Sequence, residues 1–550
     1  MKKYVFVVGG VMSSVGKGVV TSSIGYLLQS KGFRITAVKA DPYINVDAGT
    51  MNPVEHGEVF VTNDKDETDQ DIGNYERFLD QNITSDNYMT TGRVYQTVIN
   101  RERNLEYGGR CVEVVPHIPQ EIIDRIENAA KKTKSDITIV EIGGTVGEYQ
   151  NILFLEAARM MKQKHPNDVT FVLVSYLPIP GTVGEMKTKP TQYAARTLNS
   201  AGIQADFIVC RSEREIDKPR REKLATFCAI DAENAISAPD LASIYEVPLE
   251  FDKQKFAEKI LKKLHVKPKN GSLAQWAAVV KKAQNAKKEL KIAIVGKYFG
   301  TGDFTLSDSY ISVIESVKIA SWHQDAKPKF SWVNSEIFEK DPNKIKMLKD
   351  FDGIIVPGGF GSRGIEGIVM TARYCRENKI PYLGLCYGMQ IATIEFARNV
   401  AKLPKANTQE IDPKTPDPVI HIMDDQKDKV KKKEYGGSMR LGTYECDLTP
   451  GTIAYAAYSP DSHPTPDSPP LTIDERHRHR YEFNNDYREK FEKLGLVISG
   501  VNPQRNLVEI IELKNHPFFV GVQFHPEFKT RFLTPHPLFA SFIAAANKGK

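Results

Sequence analysis

Gly9 to Thr21, GGVMSSVGKGVVT, is the stretch whose reading decides the fold. It follows a short apolar run, Tyr4 to Val8, which reads as a buried parallel strand. Beyond it Val20, Ile24, Leu27 and Leu28 recur at helical spacing up to Gly32. Strand, glycine-rich loop and helix together point backbone N–H groups at a phosphate, with Lys17 in reach of the outer phosphates of a nucleotide. The loop is not a regular Walker A. Five residues separate Gly10 from Gly16, and Gly18 stands where a magnesium-binding hydroxyl is expected. Carboxylates later in the chain must then hold the metal. Lys2-Lys3 before an apolar run also suit a signal peptide, but Lys17 and the helix argue against one.

The chain has 550 residues, more than one core accommodates, so two or three domains are expected. Hydrophobic residues make up 41% and net charge is +5, which supports neither a membrane span nor nucleic-acid binding. Six cysteines, without paired spacing, suit reduced thiols and a cytoplasmic enzyme.

A second strand over Arg34 to Lys39 puts Lys39 at its C-terminal end, where open α/β sheets gather ligands. A long polar block follows, DPYINVDAGTMNPVEHGEVFVTNDKDETDQD, too long for simple packing. Most acids of its cluster Asp66, Glu67, Asp69 and Asp71 read as a solvated loop. Asp136 to Glu141 resembles a Walker B strand ending in a carboxylate, so Asp71 and Glu141 are the candidate Mg²⁺ ligands. After a strand over Phe171 to Tyr176, Lys187 and Lys189 lie on an expected extended segment. With Lys223 they form three lysines without nearby acids, suited to a second polyphosphate. His265 to Leu290 is lysine-rich and reads as a linker with a short helix at Leu273 to Val280.

A second strand set begins at Lys291 and continues at Phe351 to Val356, Tyr382 to Leu385 and Phe519 to Val522. Asp424 to Glu434 and Ser459 to Pro470 read as mobile surface loops, the latter disordered. Gly384-x-Cys386-x-Gly388 is a thiol version of the nucleophile elbow, where a helix N-terminus favours the thiolate. Cys111, Cys210, Cys228, Cys375 and Cys446 read as buried structural thiols. Pro357 to Gly361 and the Tyr387 N–H suit an oxyanion hole. His525 is the candidate base and Glu527 its orienting partner.

Through PYLGLCYGMQ, VPGGFG and QFHPEF the second half resembles the class I glutamine amidotransferases. Through GGVMSSVGKG, KADPYINVDAGTMNPVEHGEVFV, VEIGGTVG and KTKPTQ the first half resembles the synthase domain of the CTP synthase family. The resemblance implies two doubly wound α/β parallel-sheet domains, residues 1–266 and 291–550, joined by a linker over 267–290. It implies conversion of UTP to CTP with ATP and glutamine through a 4-phosphorylated UTP. Ser14, Val15, Gly16, Lys17, Gly18, Val19 and Lys39 would bind ATP with Asp71, and Asp71 and Glu141 would bind Mg²⁺. Ser13, Glu148, Tyr149, Gln150, Lys187, Thr188, Lys189, Pro190, Thr191, Gln192 and Lys223 would bind UTP or CTP. Cys386, His525 and Glu527 would form the glutaminase triad, and Gly359, Tyr387, Gln390, Glu410 and Arg480 would hold glutamine.

Further implications are GTP as activator, CTP as product and feedback inhibitor, a homotetramer and an interior passage for ammonia. Glu148-Tyr149-Gln150 departs from the family's Asp-Ile-Glu, and Met186 stands where Val is expected. Two other readings are a P-loop ATPase switch fused to an inactive glutaminase-like module and a filament-forming scaffold with vestigial sites. The complete Cys-His-Glu set argues against an inactive module.

Overall fold

The computed structural model describes residues 2–548 apart from 183, 270, 298–299, 302–303, 306, 424–425, 427–436 and 460–467. Parts of both expected mobile loops, 424–434 and 459–470, therefore lie outside the described residues. Among those described, no helix is long and apolar enough to cross a membrane. The chain divides into two compact units. One holds Met1–Ala48 and Asp71–Val280, the other Gly49–Gln70 and Lys281–Lys550.

Unit 1 is built on seven parallel strands: β1 (Lys3–Gly9), β2 (Ile35–Asp41), β3 (Tyr88–Thr90), β4 (Ile137–Ile142), β5 (Val169–Tyr176), β6 (Phe207–Ser212) and β7 (Ala235–Pro239). Their order is β3-β2-β4-β1-β5-β6-β7. Nearly every strand residue is buried, as a parallel sheet covered on both faces requires. The chain winds one way from β1 and then the other, so the order reverses there and opens a crevice beyond its carboxyl end. Three helices begin at that edge: α1 (Lys17–Ser30), α2 (Asp71–Leu79) and α3 (Lys189–Ser200).

The expected linker helix is α4 (Ala274–Asn285). The division between units falls inside it, at Val280. Its Trp276 is fully buried in unit 1. The indole N–H donates to the Tyr245 carbonyl over 2.7 Å, and the ring lies against Tyr26 and Phe78. This part of the lysine-rich stretch is thus core, because one indole face outweighs the polar residues around it.

Unit 2 carries a nine-stranded sheet: β8 (Lys288–Gly296), β9 (Ala326–Asn334), β10 (Gly353–Val356), β11 (Tyr382–Leu385), β12 (Arg440–Leu448), β13 (Leu471–His479), β14 (Leu496–Asn502), β15 (Leu507–Leu513) and β16 (Phe519–Val522). The order is β9-β8-β10-β11-β16-β15-β14-β12-β13. The first five strands are parallel and the rest antiparallel, so the sheet is doubly wound on one side only. Alternate residues feed two cores. Ala293, Val295, Ile354 and Tyr382 enter one, and Ile292, Ile294, Ile355 and Leu383 the other.

Residues 49–70 fall within the expected first domain, 1–266, and most acids of the cluster Asp66, Glu67, Asp69 and Asp71 were expected to be solvated. The segment 49–70 instead packs in unit 2. Phe60 lies 4.9 Å from Phe528 between ring centroids. The Glu58 carboxylate accepts from the Ser312 N–H and hydroxyl. Arg476 donates to the Val61 carbonyl over 3.1 Å, and Arg478 pairs with Glu67 at 2.8 Å. Glu67 and Asp69 are buried, because an arginine partner removes the need for water at the former. Cys111 also departs from expectation, being exposed rather than structural.

Trp276→Ala removes an aromatic anchor and should destabilise unit 1 by about 3–5 kcal/mol. Denaturant unfolding followed by circular dichroism measures the loss.

Candidate active sites

At the carboxyl end of β1, the loop from Gly10 leads to Gly16, whose φ of +91° only glycine adopts freely. Lys17 follows as the first residue of α1. Its buried ammonium donates to the Gly144 carbonyl over 2.9 Å, and burial holds its pKa below the ordinary lysine value. Lys39, on β2, is 5% exposed and donates to Asp71 and, over 2.9 Å, to Glu141. Tyr75 of α2 donates to the other Glu141 oxygen. Asp41 adds a third carboxylate, 3.7 Å from Lys39, which the sequence reading missed. Burial pushes it up to about 6, against the attraction of Lys39 and with the repulsion of Asp71 and Glu141. Burial likewise raises Glu141. At Asp71 burial is outweighed by the charge and hydrogen bond of Lys39, so its carboxyl lies below the usual range.

The Asp71 carboxylate fills the space left by the missing hydroxyl of the loop. A β-carbon added at Gly18 would lie 2.0 Å from Asp71 Oδ1. The loop lacks Ser or Thr there because a carboxylate from α2 occupies the position. Among the described residues there is no group of three or more His, Cys, Asp or Glu able to hold a metal. Two carboxylates around one cation fit Mg²⁺, which takes most of its ligands from phosphate and water.

Beside Gly16 lies a cavity of about 100 Å³ lined by Val19, Val20, Arg211, Leu241, Ile244 and Val247 among others. Sequence reading had no signal for it, since its walls come from segments more than 190 residues apart.

The residues expected to bind a pyrimidine nucleotide are less gathered. Lys187 pairs with Glu185 at 2.7 Å, and Glu185 also pairs with Arg220 at 2.6 Å, so Lys187 does have a nearby acid. Lys189 is not extended but opens α3, its ammonium 5.4 Å from the Phe227 ring centroid. Pro190 follows inside α3, where Thr191 accepts from Ser175 and Gln192 donates to Thr188. Ser13, Tyr149, Gln150 and Lys223 are exposed, and Glu148 is half-buried.

In unit 2, β11 ends at Leu385 and α5 (Tyr387–Asn399) starts one residue after Cys386. Cys386 has φ 48° and ψ −97°, a conformation costing about 1–3 kcal/mol that the flanking elements impose. A β-carbon at Gly388 would lie 2.3 Å from the Val356 carbonyl oxygen, so only glycine lets the helix start so close to β10. The thiol is 3.8 Å from the Arg478 carbonyl. His525 Nδ1 lies 2.7 Å from Glu527 Oε1. Burial opposes charge on His525, but Glu527 and Cys386 outweigh it and raise the imidazole to about 10.

The Pro357–Gly361 loop faces this pair. A β-carbon at Gly358 would come within 3.0 Å of the His525 ring. The Gly361 peptide is held at both ends. Its N–H donates to Glu410 over 2.8 Å, and its carbonyl accepts from the Tyr387 hydroxyl at 2.8 Å and Lys297 at 2.5 Å. Burial lowers Lys297 to about 8, and burial raises Glu410. Arg480 donates to Gln426 and Ser438, and Gln390 to the Tyr481 carbonyl. A cavity of about 120 Å³ joins Cys386, His525 and Gly359 to Asn52, Pro53 and Val59. The sequence reading missed these last residues as part of the thiol's surroundings.

Two family models match the chain: the CTP synthase N-terminus over residues 3–266 and the class I glutamine amidotransferases over residues 305–545. A curated CTP synthase of Caldanaerobacter subterraneus subsp. tengcongensis is 50% identical over 546 residues, covering 99% of this chain and 98% of that protein. One of Carboxydothermus hydrogenoformans is 49% identical over 549 residues, covering 100% and 99%. The glutaminase domain of Trypanosoma brucei CTPS with bound acivicin is 36% identical, covering 48% of this chain and 95% of that one, with a TM-score of 0.42. With half of all residues shared across nearly its whole length, the chain belongs to the CTP synthase family.

Proposed function

We propose that this chain aminates UTP to CTP, using ATP to activate the pyrimidine and ammonia released from glutamine. The observation that carries the reading is the strained Cys386 elbow beside the buried His525–Glu527 pair. Neither a nucleotide switch nor a scaffold has use for such a thiol. The full-length likeness to proteins named CTP synthase supports the synthase half.

The residue roles follow from chemistry. The C4 oxygen of uracil is a poor leaving group, and phosphorylation by ATP makes it a good one. Gly16, Gly18 and the start of α1 offer N–H groups to phosphates, and Lys17 and Lys39 offset their charge. The apolar cavity beside Gly16 suits the purine of ATP. Asp71 and Glu141 would hold Mg²⁺, which when bound neutralises charge on the transferring phosphoryl group. Ser13, Glu148 to Gln150, Lys187 to Gln192 and Lys223 would take UTP or CTP. Cys386 attacks the glutamine amide with His525 passing the proton to departing ammonia, while Gly359 and the Tyr387 N–H receive the oxyanion. Arg480 takes the carboxylate of glutamine and Glu410 its amine. Gln390 holds the backbone at Tyr481, beside Arg480.

Internal transfer of ammonia is part of this reading. Activation by GTP, inhibition by CTP and a cytoplasmic homotetramer belong to the same reading. Exposed apolar side chains on unit 1, among them Leu105 at 72% and Ile99 at 54%, suit burial against a second copy.

Cys386→Ala should abolish glutamine-dependent CTP formation and retain it with added ammonia, followed by absorbance. Lys17→Ala should lose it from both sources, and residual CTP synthesis near the parent rate would refute a phosphate role. Gly18→Thr drives a side chain into Asp71 and should lower CTP synthesis from either source by about a hundredfold. Glutamine hydrolysis should fall as pH rises through about 10, where His525 loses its proton. Because the Glu527 charge raises His525, Glu527→Gln should move that alkaline limb to lower pH, read from the pH profile of glutamate release.

A further inference from the structure

Gln523 lies beside the nucleophile for a reason rooted in strand register. Leu385 of β11 pairs with Val522 of β16, so Cys386 and Gln523 are the next residues on adjacent parallel strands. The Cys386 N–H donates to the Val522 carbonyl over 2.7 Å, and the Gln523 N–H to the Glu509 carbonyl over 2.8 Å. Both backbones are therefore pinned. The Gln523 side chain, 1% exposed, places Nε2 3.5 Å from Cys386 Sγ.

The hydrogen-bond network sets the direction of that amide. Gln390 Nε2 donates to the Tyr481 carbonyl over 2.9 Å, an atom that can only accept. The same nitrogen donates to Gln523 Oε1 over 3.3 Å. With its oxygen so engaged, Gln523 turns its N–H to the sulfur. The sulfur thus has a fixed donor from Gln523 and an acceptor in the Arg478 carbonyl at 3.8 Å, and His525 lines the same cavity.

We propose that Gln523 is a further catalytic residue of the glutaminase centre, its side-chain amide donating to the Cys386 sulfur whenever that sulfur carries negative charge. The inference rests on Cys386 being the nucleophile of amide hydrolysis. In the first half-reaction the thiolate attacks the amide carbon, the C–N bond breaks, and ammonia leaves with a proton from His525. In the second, water gives a proton to His525 and adds to the thioester carbon. The C–S bond then breaks and its electron pair returns to sulfur. Glutamine and water become glutamate and ammonia. Negative sulfur exists before the first step and after the last, and a hydrogen bond to a charged acceptor favours both.

Gln523→Met keeps volume and removes the donor, and Gln523→Glu replaces it with a carboxylate. Iodoacetamide alkylation of the Cys386 peptide, followed by mass spectrometry across pH, reads the thiolate directly. In Gln523→Met the rate at pH 7 should fall about tenfold with its profile displaced to higher pH, and in Gln523→Glu it should fall further. Glutamate release should drop about tenfold or more in both, with unfolding profiles matching the parent. Superimposable alkylation profiles for Gln523→Met and parent would overturn the proposal, as would loss of activity explained by unfolding in both variants. Cys386→Ala is run alongside. Glutamine hydrolysis persisting in it would sink the nucleophile assignment itself, whereas failure of the Gln523 variants alone sinks only this inference.

Discussion

A buried charge must be paired, and both centres are arranged around that constraint. Lys39 is surrounded by Asp41, Asp71 and Glu141 on three different elements; Asp41 and Glu141 are buried and Asp71 half-buried, which the ammonium's charge permits. The ammonium is therefore a structural tie. It draws α2 against β2 and β4 and brings Asp71 into the gap at Gly18. His525 meets the same constraint, its proton retained because Glu527 and Cys386 outweigh burial.

The second common feature is the carboxyl edge of a parallel sheet. At β1 the edge presents N–H groups and a lysine. At β11 it presents a thiol, with the base and a glutamine from neighbouring β16. Strand register does much of the positioning in both places, because residues just past paired positions emerge side by side. Glycine matters where two elements approach closely, at Gly18 against Asp71 and Gly388 against Val356. Elsewhere ordinary side chains suffice.

Residues 49–70 pack within unit 2, on the cavity that also holds the thiol. Their burial in unit 2 depends on polar anchors, Glu58 on Ser312, Arg476 on Val61 and Arg478 on Glu67. Arg478 is shared, since its carbonyl faces Cys386 while its guanidinium holds Glu67.

Much of this was legible in the chain alone. The strands around Gly9 and Cys386 are short apolar runs ended by glycines, and local residue order specifies such turns. Lys17, Cys386, His525 and Glu527 stand out for that reason. The burial of Glu67 was not legible, because its partner Arg478 lies 411 residues away. Nor was the role of Asp41, the apolar cavity beside Gly16, the core position of Trp276 or the donor at Gln523. The sequence by itself determined the strand–loop–helix turns and the reactive groups they carry, since those depend on neighbours a few residues apart. Only the tertiary structure decided which charges are paired and which donor meets the sulfur, since burial and strand register are set by distant segments.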